Sequence, residues 1–196
     1  VCLPVKANPQ KGREIAPKPS KLSFEEAAAV PVGATTALRF LRKGSIRKDI
    51  EVLIYGASGS VGTYAVQLAK YYGARVTAVC STAHLDMVHS LGADRVIDYT
   101  RDSLAELAGR FELVFDAVGK MPKPLTRSLP APQGRFLSVM TSAKGMEGDL
   151  DLLKELIEAN RIRPVIDKVF PFNDIQSAHR YVEQGHKAGN VIVKIQ

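Results

Sequence analysis

From Glu51 onward, short, largely apolar runs alternate with amphipathic stretches. Val52–Tyr55, Arg75–Cys80, Arg95–Asp98, Leu113–Asp116 and Arg135–Val139 are each only a few residues long, and so read as buried strands. Between them, Gly62–Tyr72, Ala83–Leu91 and Ser103–Ala108 read as helices, with Gly73 and Gly92 standing where C-terminal helix caps belong. A strand–helix–strand rhythm repeated this often predicts an α/β fold: a doubly wound parallel sheet with helices on both faces. The last third continues in the same style. Asp149 is expected to cap a helix over Leu150–Ala159, followed by a strand at Val165–Phe170. Asn173 then caps a helix ending near Gly185, and Asn190–Ile195 is a closing strand. Upstream, Val1–Ser20 is rich in Pro and Lys and reads as irregular or extended. Ser23 and Glu26 form a capping box before Ala27-Ala28-Ala29, and Pro31 opens a helix that runs through Ala37–Leu41 and stops near Gly44. No internal repeat or low-complexity tract interrupts the chain.

The sharpest signal is Val52-Leu53-Ile54-Tyr55-Gly56-Ala57-Ser58-Gly59-Ser60-Val61-Gly62. An apolar strand enters three glycines spaced three apart and continues into a helix. Glycine permits the tight turn, lets the backbone approach a pyrophosphate, and lets the helix pack closely on the strand. The N–H groups that open the helix then face the anion, with the helix dipole in the favourable sense. The spacing is G-x-x-G-x-x-G rather than G-x-G-x-x-G, but its place between strand and helix is the context that a Rossmann dinucleotide site requires. Walker-type phosphate binding is excluded, because no Gly-Lys-Ser/Thr follows.

Cofactor choice is read at the end of the second strand. A carboxylate there would accept from the ribose 2′-hydroxyl and repel a 2′-phosphate. The sequence is Val79-Cys80-Ser81-Thr82-Ala83-His84, with no acid until Asp86. Two hydroxyls and an imidazole can donate to a phosphate, which favours NADP(H) over NAD(H). The same residues also suit the N-cap and first turn of a helix, and both roles can hold.

Composition bounds this picture without redirecting it. The 196 residues are 45% hydrophobic and 24% charged, ordinary values for a globular protein. No apolar run approaches the length of a membrane span, and Val1–Arg13 has no signal-peptide core. Cys2 and Cys80 cannot build a disulfide framework or a four-cysteine zinc site, so a reducing, cytoplasmic setting is expected. The net charge of +7 comes from scattered Lys and Arg without a basic stripe or interleaved aromatics. It suits a phosphate-bearing small molecule rather than nucleic acid.

Several further segments occur in order: Ala28-Ala29-Val30-Pro31-Val32-Gly33-Ala34-Thr35-Thr36-Ala37, the loop Gly56–Gly62, Leu91-Gly92-Ala93-Asp94-Arg95-Val96-Ile97-Asp98-Tyr99, and Phe115-Asp116-Ala117-Val118-Gly119. Together they resemble the medium-chain dehydrogenase/reductase superfamily, and within it the zinc-independent quinone oxidoreductase group that includes zeta-crystallin. The resemblance runs over nearly the whole chain, including the ending Gly185–Val191.

The resemblance implies roles residue by residue. Ser58, Gly59, Ser60 and Val61, with Gly56 and Gly62, match the pyrophosphate loop. Ser81, with Thr82 and His84, matches the 2′-phosphate pocket, although the basic residue often found there is missing. Tyr99 matches a position against the adenosine end. Val118, Gly119, Ser138 and Val139 match strand ends lining the nicotinamide, and Thr36 falls where a hydroxyl lies close to it. Val32 stands where zinc-dependent relatives carry a cysteine ligand, so no metal is expected. The implied activity is hydride transfer from NADPH to a quinone or an α,β-unsaturated carbonyl. An enoyl-thioester reductase and a non-catalytic NADPH-sensing module remain alternatives, and no proton donor can be named. His89, His179 and His186 read as surface histidines. Residues 1–22 are expected to be the exit of an N-terminal catalytic domain, and residues 23–196 the dinucleotide-binding domain. Relatives have a further strand and loop where only Met140–Asp149 stands here. That region helps form their dimer sheet, which leaves homodimer and monomer both open.

Overall fold

The computed structural model describes residues 15–195, so most of the irregular leading segment lies outside the described residues. The strands β1 (Glu51–Tyr55), β2 (Arg75–Cys80), β3 (Arg95–Asp98), β4 (Phe111–Asp116) and β5 (Pro130–Ser138) form one sheet in the order β3-β2-β1-β4-β5. Every neighbouring pair is parallel. Side chains alternate across it. Val52, Ile54, Val76, Ala78, Leu113 and Phe115 enter one apolar cluster, while Leu53, Val79 and Val114 enter another. The first cluster is covered by α2 (Val30–Lys43), α3 (Ser60–Tyr71), α4 (Leu85–Ser90) and α6 (Asp149–Glu158). The second lies under the short 3-10 turn Leu104–Leu107 and under α5 (Lys123–Ser128). The doubly wound parallel sheet is therefore the observed architecture.

The helix expected over Ser103–Ala108 is that single 3-10 turn, and α4 is preceded by another at Thr82–His84. The sequence assigns no element to α5 or to the first half of β5, where Pro130, Pro132 and Gly134 interrupt the apolar pattern. At the edge of a sheet a proline loses no ladder hydrogen bond, so β5 accommodates them. The short helix α1 (Phe24–Ala28) starts at the expected capping box of Ser23 and Glu26. Gly73 and Gly92 adopt φ of 79° and 98°, as their cap positions require.

Two caps differ from expectation. Asp149 is the first residue of α6, not its cap; Gly148 takes that place in the left-handed region. The Asp149 carboxylate is fully buried and pairs with Arg39 and Arg42 of α2, fastening α6 to the sheet's covered face. Asn173 lies in a 3-10 turn, and Asp174 precedes α7 (Ile175–Glu183). The last two strands also do not extend the main sheet. Strands β6 (Ile166–Pro171) and β7 (Asn190–Lys194) pair with each other, in parallel, around α7. They join the glycine loop through a single bridge, Gly59 to Gly189. Residues 139–148 contain no strand.

Candidate functional site

Strand β1 lies between β2 and β4, so the connections leaving it run in opposite directions and a crevice opens at the C-terminal strand ends. A cleft of about 370 Å³ sits there, within the range of small-molecule sites. Its floor is the glycine loop. Gly56 has φ +75°, and a Cβ on it would stand 2.6 Å from Val118 Cγ1. A Cβ on Gly62 would stand 2.1 Å from the Gly56 carbonyl oxygen, so helix α3 packs on the turn in a way only glycine permits. The N–H groups of Ser60, Val61 and Gly62 open α3 and have no carbonyl partner four residues back within the helix. They are the donors that an anion over this loop would use.

The wall beside Gly56 is set by a buried carboxylate. Asp116 ends β4 and accepts from the backbone N–H groups of Val118 (3.1 Å), Gly119 (2.8 Å) and Met121 (3.1 Å). This fixes the turn that carries Val118 against the glycine loop.

At the other end, Tyr55 and Tyr99 stand with ring centroids 6.2 Å apart, both lining the cleft. Ser81 and His84 line it as well. Thr82 does not. Its hydroxyl donates to Asp98, which also accepts from the Thr100 hydroxyl (2.6 Å) and N–H (2.9 Å). The Thr100 and Thr82 hydroxyls hold the Asp98 carboxyl below the usual range. A scan along the β2 end misses this acid, because it arrives from β3 opposite Cys80. Cys80 ends β2 at the cleft with its side chain in the core, and its thiol is pushed up to about 11, mainly by burial.

Of the residues expected at the site, Gly56, Ser58, Gly59, Ser81, His84, Tyr99 and Val118 line the cleft together. Ser60, Val61 and Gly62 begin the helix behind it, and the Ser60 hydroxyl is engaged by Asn190. Gly119 belongs to the Asp116 turn. Ser138 is buried beside Asp116 at 3.4 Å, Val139 packs on the core, and Thr36 is half-buried in α2; none of these four lines the cleft. His89, His179 and His186 are all exposed, as expected, and His186 also sits on the cleft rim.

The residues that sequence reasoning missed come chiefly from the C-terminal segment: Val182, Gly185, His186 and Lys187, along with Lys120, Tyr55 and Cys80. Tyr55 and Cys80 were legible as strand-end positions. The others carry no local motif. Lys120 comes with the Asp116 turn, and the C-terminal four reach the cleft because the Gly189 N–H donates to the Ser58 carbonyl at 2.7 Å, and because His84 Nε2 lies 3.0 Å from the His186 carbonyl oxygen. As a carbonyl only accepts, Nε2 carries the proton in that contact. Asn190 anchors the segment further, donating from both its backbone N–H (2.9 Å) and its Nδ2 (3.0 Å) to the Val165 carbonyl. A larger depression of about 880 Å³, among Lys21, Gln67, Lys70 and Arg161, shares no residue with the glycine loop.

A family model described as "Zinc-binding dehydrogenase" matches residues 60–165, and a second with the same description matches residues 138–193. The chain is 36% identical over 195 residues to a 2-methylene-furan-3-one reductase of Solanum lycopersicum, covering 91% of this chain and 49% of that protein. It is 36% identical over 196 residues to a chloroplastic NADPH-dependent alkenal/one oxidoreductase of Arabidopsis thaliana, with the same coverage of 91% and 49%. A crystal structure of an NAD-dependent alcohol dehydrogenase superposes with a TM-score of 0.84 at 27% identity, over 92% of this chain and 62% of that one. The chain thus spans about half the length of the curated relatives it matches.

Proposed function

The chain belongs to the zinc-binding dehydrogenase family of the medium-chain dehydrogenase/reductase superfamily, and from that premise we propose that it is the cofactor-binding part of an NADPH-dependent reductase of α,β-unsaturated carbonyls and quinones. The observation that carries this reading is the glycine cradle at the switch point, with Ser81 and His84 rather than a carboxylate lining its far end. The Asp98 carboxylate nearby is turned to the Thr82 and Thr100 hydroxyls and the Thr100 N–H, and it does not line the cleft. Both plant relatives are named for reducing enone-type compounds, and one for using NADPH.

The roles follow from position. The loop Gly56–Gly62 holds the pyrophosphate on the start of α3. Tyr55 and Tyr99 flank the adenosine, Ser81 donates to its 2′-phosphate, and His84, its Nε2 proton held by the His186 carbonyl, lines the pocket beside it. Thr82 acts indirectly, by occupying Asp98. Val118, held by the Asp116 turn, walls the nicotinamide side, with Gly119 and Ser138 at the same Asp116; Val139 and Thr36 keep the roles that the resemblance implies. When bound, the reduced nicotinamide supplies a hydride to the electron-poor carbon of an enone or quinone, and this chain contributes binding and orientation. Residues 1–22 read as the exit of a separate catalytic domain and residues 23–196 as the dinucleotide domain. Zinc has no part in the reading: Val32 cannot ligate, and among the described residues no cluster of three or more His, Cys, Asp or Glu is placed to hold a metal. No helix among the described residues is long and apolar enough to cross a membrane. The buried free thiol of Cys80 suits a reducing compartment, of which the cytoplasm is one.

The test is oxidation of NADPH by an enone and by a naphthoquinone, using the protein that contains this chain. Acceptor-dependent turnover with NADPH preferred over NADH is expected. Tight NADPH binding without turnover on any such acceptor would favour a sensing module instead. Ser81→Asp is expected to weaken NADPH about tenfold or more while sparing or improving NADH, since like charges then meet at the 2′-phosphate. Equal losses for both cofactors would move the phosphate pocket elsewhere. Elemental analysis of the same dialysed protein should find no stoichiometric zinc; about one zinc per chain would overturn the zinc-independent assignment.

A further inference from the structure

Lys187 lies on the segment that crosses the glycine loop, and its side chain lines the same cleft as Gly56, Ser58 and Gly59. Its ammonium donates to the Gly189 carbonyl at 2.5 Å, while the Gly189 N–H donates to the Ser58 carbonyl at 2.7 Å. The charge is thereby held two hydrogen bonds from the turn that opens α3. An ammonium has three N–H donors, and one of them is used. Among the described residues no carboxylate forms an ion pair with it. The acid whose field reaches it, Asp167, is engaged by the Tyr181 hydroxyl (2.7 Å) and the Ala188 N–H (3.1 Å). Lys120, on the Asp116 turn, and His84 and His186 also line this cleft. Lys187 is thus a half-buried cation with spare donors and, among the described residues, no carboxylate in direct contact, lining a cradle built for an anion.

We propose that Lys187 is a cofactor-binding residue that places its ammonium on the dinucleotide pyrophosphate, closing from above the site that the α3 N–H groups form from below. The inference rests on the reading of the cleft as an NADPH site and adds a charge that the glycine loop itself lacks. Burial lowers the Lys187 ammonium from the usual lysine range, and an anion in the cleft would reverse that by restoring a partner to the charged form. The pyrophosphate is the assigned contact, rather than the 2′-phosphate, because the Lys187 ammonium itself bonds the Gly189 carbonyl beside Ser58, whereas His84 meets only the main chain of the neighbouring His186.

The experiment compares Lys187→Gln, Lys187→Arg and the unaltered chain by calorimetric titration with NADPH and with NADH, at several salt concentrations. Lys187→Gln keeps a donor for the Gly189 carbonyl but removes the charge. It is expected to weaken both cofactors by a similar factor, about tenfold or more, and to flatten the salt dependence of binding. Lys187→Arg should bind within about threefold of the unaltered chain, and all three should unfold at the same temperature. Unchanged affinity in Lys187→Gln would reduce Lys187 to a tether for the C-terminal segment. A loss confined to NADPH would assign it to the 2′-phosphate. Either result overturns the proposal. If the unaltered chain bound neither cofactor, the cleft reading would fail first and take this inference with it.

Discussion

Replacing Gly59 with aspartate is expected to abolish dinucleotide binding and to leave the fold at least as stable. Gly59 is the N-cap of α3, with φ −79° and no side-chain cap hydrogen bond. A Cβ there would meet the Gly56 carbonyl oxygen at 3.5 Å and Val118 Cγ1 at 3.8 Å, ordinary contacts that need no backbone adjustment. Aspartate is among the best N-cap residues and improves on glycine by a few tenths of a kcal/mol. The carboxylate would take the N–H groups of α3 that the pyrophosphate needs and set a negative charge in its place. We expect a loss of at least about 100-fold, roughly 2.7 kcal/mol, for NADPH and NADH alike. Thermal unfolding read beside the titration separates the two effects. A stable Gly59→Asp variant with near-normal affinity would show that the anion does not sit on this helix.

Gly62→Ala should do the reverse, and damage the fold. Alanine is preferred to glycine inside a helix by roughly 1 kcal/mol, so position alone would predict a gain. The contact reverses the sign. The new Cβ would fall 2.1 Å from the Gly56 carbonyl oxygen and 2.7 Å from Ala57 Cα, both backbone atoms that no rotamer change can move. Helix α3 would have to lift from β1, which carries the fully buried Val52, Leu53 and Ile54. Overpacking of this kind costs about 1–3 kcal/mol and more where backbone must shift. A net loss of about 2 kcal/mol or more is expected, lowering the melting temperature by about 4–8 °C in a domain of this size. An unchanged or raised melting temperature in Gly62→Ala would mean that helix and turn are less closely packed than described.

These two glycines mark how much of the site was legible in the sequence. Strand, glycine triplet and helix are contiguous, so local pattern places Gly56, Gly59 and Gly62 on one turn. The apolar runs place β1, β2 and β4 for the same reason, since these central strands are buried on both faces. Legibility ended where the deciding contact is not local. Pro130 and Pro132 argue against a strand until β5 is known to be an edge. Thr82 reads as a free hydroxyl until Asp98 arrives from β3 to engage it. Asp149 reads as a cap until Arg39 and Arg42 meet it across the α2–α6 contact. Lys187 has no motif around it, and only the pairing of Gly189 with the glycine loop brings it to the cleft.

The central claim is that this chain holds a nicotinamide dinucleotide on the loop Gly56–Gly62 and prefers the 2′-phosphorylated form. The most direct measurement is calorimetric titration of the chain with NADPH and with NADH, beside the Gly59→Asp variant. We predict one site per chain, micromolar or tighter for NADPH, weaker for NADH, and lost for both cofactors in the variant. A folded chain that binds neither dinucleotide at millimolar concentration, or binds both equally well with and without Gly59, would contradict the account.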